Sequence, residues 1–148
     1  MDQLVKFVNA YKLPIMLGLG ILMLVVWVFC PVIDVLGKLE ANGIQSSFGG
    51  KGLGFCRFCS FACLLLPVAY IAAQFVKAAA DYHLRSICML GMFVFSVLFA
   101  VSLPQGCSLS YGAGVYICLS ILGIAVHILG NLSINSDTNQ PTTTDVAE

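Results

Sequence analysis

Three thiols, Cys56, Cys59 and Cys63, recur at i, i+3 and i+7, the spacing that sets side chains on one stripe of an α-helix. The first two frame a C-x-x-C motif, Cys56-Arg57-Phe58-Cys59, at the expected start of a helix. A helix N-terminus and a neighbouring arginine both favour the thiolate, which is the form that attacks a disulfide. Cys30 and Cys107 fall at the same end of the expected helices as this motif, whereas Cys88 falls at the opposite end and Cys118 within the last helix. Three chemistries are open to the set. The thiols are small apolar packing groups, or Cys107 pins to Cys56 or Cys30 as a structural disulfide, or Cys56 and Cys59 cycle between dithiol and disulfide with Cys107 nearby. Metal binding needs a fourth ligand and a means of offsetting three thiolate charges, and no histidine is close in sequence, so no metal site is expected. Asp34 and Arg57 flank the same region and are candidates for an ion pair.

These residues must be positioned by something other than a water-soluble core. Only 9% of the chain is charged and 59% is hydrophobic, against roughly 25% charged in an average soluble domain. From Arg85 to Asp137 no other Asp, Glu, Lys or Arg occurs. Net charge is +0, and no basic stripe carries interleaved aromatics, so nucleic acid is set aside as a partner.

Four apolar runs, at about 13–33, 58–76, 86–103 and 111–130, have the roughly twenty-residue length that crosses a bilayer. The first begins with Pro14, suited to a first helical turn. Val28-Phe29-Cys30 offers no small-residue cleavage site, so this run is expected to remain as a span rather than leave as a signal peptide. Residues 1–12 read as a short interfacial lead-in. In the second run Pro67 is expected to kink the helix, and Ala69 with Ala73 forms a small-xxx-small pair suited to close helix approach. The fourth starts with Gly112 and Gly114 and carries Ser120 and Gly123 as a candidate packing face.

Between the first two runs lies an outer loop, 31–55. Asn42-Gly43 is a strong two-residue hairpin signal, with arms expected at 37–41 and 44–48. The glycine-rich 49–54 stretch reads as a flexible joint. It is no phosphate loop, because Lys51 is followed by Gly52 rather than Ser or Thr. The polar turn 77–85 contains Asp81 and His83. Residues 131–148 have the composition of a disordered tail, and the Asn131-Leu132-Ser133 sequon sits too near the last span to be a good glycan acceptor.

The fold class expected is therefore an all-α integral membrane protein, a four-transmembrane-helix bundle with a small extracytoplasmic β-hairpin between helices 1 and 2. Lys6, Lys12, Lys77 and Arg85 stand on one side against Lys38, Lys51 and Arg57 on the other, which places both termini in the cytoplasm. The spans contain no Asp, Glu, Lys or Arg, against a proton-coupled exporter built on an embedded carboxylate. Gln74 and Tyr70 lie near one end of the second span, and His127, in the last turn of the fourth, reads as an interfacial histidine.

Cys56-Arg57-Phe58-Cys59 resembles the motif of the four-helix, quinone-dependent membrane oxidases that generate disulfides, which carry a C-x-x-C near the outer start of their second helix. The resemblance implies a bound quinone and a redox-active Cys56–Cys59 pair. That family has a second cysteine pair on a longer loop between spans three and four, where this chain has Cys107 alone. It also has no counterpart to the glycine-rich stretch before Cys56. The leading expectation is a non-enzymatic scaffold or subunit of a membrane complex, with lipid and membrane-protein partners or copies of itself and no cofactor. The quinone-dependent thiol oxidoreductase is the alternative, and an oligomeric small channel or transporter the third.

Overall fold

The computed structural model describes residues 11–48, 54–76 and 83–137, and the side chains among them other than those of residue 12 and of 130–137. Most of the interfacial lead-in, all but one residue of the glycine-rich joint, most of the polar turn and the end of the tail lie outside the described residues.

The chain is mostly helical with a small sheet. Helix α1 (Lys12–Phe29) leads into strands β1 (Pro31–Val35) and β2 (Leu39–Asn42) and a short helix α2 (Gly43–Phe48). Helices α3 (Gly54–Phe75) and α4 (Leu84–Val101), strand β3 (Cys107–Leu109) and helix α5 (Tyr111–Asp137) complete the order. Among the described residues three helices, Gly54–Phe75, Leu84–Val101 and Tyr111–Leu129, are long and apolar enough to cross a membrane. The apolar part of α1, Leu13–Phe29, is shorter.

The first apolar run was expected to continue as helix to residue 33, and it stops at Phe29. Cys30 is extended (φ −85°, ψ 147°) because it precedes Pro31, whose ring disfavours the helical conformation in the residue before it. Residues 31–33 become strand instead. At its far end α5 runs on to Asp137, past the point where composition turns polar; once a helix is nucleated, each further residue adds a hydrogen bond without a new nucleation cost.

The hairpin forms between helices 1 and 2, but not with the expected arms. Its strands are 31–35 and 39–42, paired antiparallel with Asp34 opposite Glu40 and Val35 opposite Leu39. The turn uses Leu36 (φ 57°) and Gly37 (φ 66°), both left-handed as a type I′ turn requires, and Lys38 N–H donates to the Val35 carbonyl at 3.1 Å. Asn42-Gly43 does other work. Asn42 Oδ1 accepts from Gln45 N–H at 2.9 Å, and Gln45 Oε1 accepts from Asn42 N–H at 3.2 Å, the reciprocal bonds of a capping box that starts α2. Gly43 is required because a Cβ there would run into the Trp27 indole and carbonyl. The arm expected at 44–48 is therefore helix.

A strand that pattern reading did not anticipate arrives from the other side. β3 pairs antiparallel with β1, with Ile33 opposite Leu109 and Val35 opposite Cys107, giving the sheet order β2-β1-β3. β1 is thus central, and its Val32 and Ile33 are both buried, one on each face.

Helix α1 packs on α3 and α5, and α4 packs on the same two from the opposite corner. Trp27 lies at the centre, fully buried against Phe99 of α4 (ring centroids 5.1 Å) and Tyr116 of α5 (4.7 Å). Ser120 and Gly123 face inward on α5 as expected. Of the small pair on α3 only Ala73 is buried, and Ala69 points outward, so that pair does not form one contact face. Pro67 is buried within the single helix α3.

Candidate functional site

Helix α3 begins at Gly54, four residues before the expected start of the span, and Cys56, Arg57 and Cys59 sit in its first two turns, at the start of a helix as expected. The i, i+3, i+7 stripe faces the core: Cys56, Cys59 and Cys63 are 1%, 0% and 0% exposed. Cys59 and Cys107 are thiol neighbours of Cys56, and Ser102, just past the end of α4, faces both Cys56 and Cys59. Cys107 comes to the same end as Cys56, as expected, carried there by strand β3, which the sequence pattern did not show. Cys30 packs at the edge of the same core, against Gly112. All seven cysteines are free thiols in the structure. Among the described residues no cluster of three or more His, Cys, Asp or Glu side chains could hold a metal ion.

Arg57 and Asp34 are not brought together. Arg57 Nε donates to the Ser47 carbonyl at 2.6 Å and Nη2 reaches the Phe48 carbonyl at 3.5 Å, so the guanidinium caps the C-terminus of α2. Asp34 Oδ1 is buried without a hydrogen-bond partner, and the residue directly across β2 is another carboxylate, Glu40.

Two polar clusters were not foreseen as units. The Gly43 carbonyl is surrounded by Ser47 Oγ at 2.7 Å, Ser46 Oγ at 3.0 Å and Ser60 Oγ at 3.2 Å. Ser60 also lies 2.6 Å from Ser46 and 2.9 Å from Ser47. Each hydroxyl has one proton, so the three must relay their donors around one acceptor. The result fastens α2 to α3 inside an apolar core. Ser46-Ser47 was legible only as part of a strand arm.

At the opposite end of the bundle, Tyr70 Oη and His127 Nε2 are 3.0 Å apart, and Ser86 Oγ lies 3.4 Å from His127 Nδ1. His127 is 8% exposed. It packs inside the bundle near the end of α5's apolar part, where Tyr70 and Ser86 from two other helices face its two ring nitrogens. Arg85 closes this end by donating to the Ala73 carbonyl at 3.0 Å and the Gln74 carbonyl at 3.2 Å.

The two ends do not combine into a nucleophile–base set. Cys59 and Tyr70 share one helix, and their separation along it is about 16 Å at 1.5 Å per residue. His127, held against Tyr70, is therefore out of reach of the Cys56–Cys59 thiols. Thiol exchange also requires a partner sulfur to approach along the S–S axis, and these two thiols are enclosed. What the arrangement does well is hold helices together. Tyr116 Oη, for example, donates to the Cys63 carbonyl at 2.9 Å and joins α5 to α3.

No protein-family model, curated protein or solved structure matches the chain.

Proposed function

We propose that the chain is a four-span integral membrane protein with a non-enzymatic role, a scaffold or subunit of a membrane complex, with both termini cytoplasmic and the sheet on the extracytoplasmic side. One observation carries the membrane part. The bundle's outer surface is apolar as well as its core, with Ile21, Leu65, Leu90, Val101 and Leu122 exposed, while the polar side chains of Ser60, Ser96, Ser120, Gln74 and His127 are turned inward. In hydrocarbon a helix satisfies its own backbone, and outward apolar side chains cost nothing. Helix α1, 18 residues long, spans about 27 Å, close to a hydrocarbon core of roughly 30 Å.

The role as a partner-binding subunit is supported by the sheet end. Leu36 is 74% exposed, Leu39 70% and Phe48 60%, on the segment that caps the bundle, and β2 is an edge strand. Purification in mild detergent followed by mass photometry is expected to give a complex larger than one chain, and a lone monomer without co-purifying protein would contradict the role. For the orientation, Lys38→Cys is expected to react with an impermeant maleimide added outside intact cells; labelling from the cytoplasm alone would reverse it.

The second reading is the membrane thiol oxidoreductase, favoured by the convergence of Cys56, Cys59 and Cys107. In it the Cys56–Cys59 dithiol becomes a disulfide and gives two electrons and two protons to a bound quinone. Cys56→Ser with Cys59→Ser leaving cellular disulfide formation unchanged would remove it.

A further inference from the structure

A groove of about 350 Å³ lies between α2 and the first turns of α3, lined by Ser47, Phe48, Gly54, Arg57, Phe58 and Phe61. Its two ends differ in chemistry. Arg57 supplies a permanent positive charge at one end. The guanidinium has five N–H donors, of which Nε–H and one on Nη2 go to carbonyl oxygens. Those partners are neutral, and among the described residues no carboxylate pairs with Arg57. Among the described residues the guanidinium therefore has no anionic side-chain partner, and it has donors to spare. The other end is aromatic: Phe48 and Phe61 meet edge to face at 5.8 Å, and Phe58, 58% exposed, stacks on Phe55 at 6.1 Å.

We propose that this groove binds one anionic phospholipid, its phosphate on Arg57 and its acyl chain along Phe58 and Phe61. Charge complementarity selects an anion, and the guanidinium fork suits two phosphate oxygens. The adjoining phenylalanines select an anion that carries a hydrocarbon chain, since a small soluble phosphate would leave them unused. The site also stands where a headgroup would be, at the end of an apolar helix whose next turns face lipid. The inference rests on the membrane reading above.

The test uses the full chain in nanodiscs of mixed phosphatidylcholine and phosphatidylglycerol, with the lipids retained after gentle release counted by native mass spectrometry. Retention of phosphatidylglycerol over phosphatidylcholine is expected at roughly fivefold, the factor associated with one basic residue at an anionic surface. Arg57→Lys should keep most of that preference, because the charge remains, and Arg57→Gln should abolish it. Phe58→Ser should lower retention of the anionic lipid while leaving the fold intact, as read by Trp27 fluorescence. Equal retention of the two lipids by the unaltered chain would overturn the proposal. So would a folded Arg57→Lys chain with no preference, or competition by soluble glycerol phosphate as strong as by the lipid. Should the chain instead prove water-soluble and fail to enter nanodiscs, the membrane reading itself would fall, and that outcome is recognisable before any lipid is counted.

Discussion

At the scale of single residues, Gly43 does more than its sequence context announces. Its missing Cβ lets α2 lie directly on Trp27, and its carbonyl gathers three serine hydroxyls. Gly43→Ala is expected to cost about 1–3 kcal/mol through overpacking. Trp27 is the only tryptophan, so its emission reports this contact without labelling, and a red-shifted spectrum with a lower melting temperature should accompany the substitution. An unchanged melt would show that α2 is not seated as described. Tyr70→Phe removes the hydroxyl facing His127 Nε2. Hydrogen bonds between helices in lipid average about 0.6 kcal/mol, and a loss of that order, read as a lower melting temperature in detergent, is expected. No measurable loss for Tyr70→Phe would contradict the account of the His127 cluster. Tyr116→Phe is expected to cost about 1–3 kcal/mol, because the Cys63 carbonyl it releases has Pro67, which carries no N–H, four residues on.

At the scale of elements, the sheet is held by register and turn geometry against a local penalty. Asp34 and Glu40 face each other across β1 and β2, and like charges directly opposite are destabilising. Glu40→Lys is expected to raise stability by about 0.2–1 kcal/mol, measured as a higher melting temperature in detergent at neutral pH; a lower one would mean that Glu40 has a partner that compensates it. The same elements show what could be read in advance. The apolar runs gave the helices and their approximate ends, because length and the absence of charge depend only on local composition. Asn42-Gly43 misled because Asn and Gly serve a capping box and a close approach as well as they serve a type I′ turn. Which use applies depends on Gln45 and on a tryptophan sixteen positions earlier. Strand β3 was illegible for a similar reason: Cys107-Ser108-Leu109 carries no alternation long enough to register, and it becomes a strand only because β1 offers an edge.

At the scale of the whole molecule, the thiol stripe was visible in the spacing of Cys56, Cys59 and Cys63, but its burial was not, since helical periodicity names a face without saying what it meets. The association of Tyr70, Ser86 and His127 needed three helices to be packed before it could be seen. What joins these observations is an outer surface as apolar as the core, with the few polar side chains of the helices turned inward. Cys118 reads this out directly. It lies on the outward surface of α5 and is exposed, unlike Cys56, Cys59, Cys63 and Cys88, so protein packing alone would not protect it. Intact membranes treated with a water-soluble, impermeant maleimide and mapped by mass spectrometry should leave Cys118 unmodified until detergent is added, because hydrocarbon covers it. Rapid labelling of Cys118 in the untreated membranes, at the rate of a thiol in water, would contradict the account.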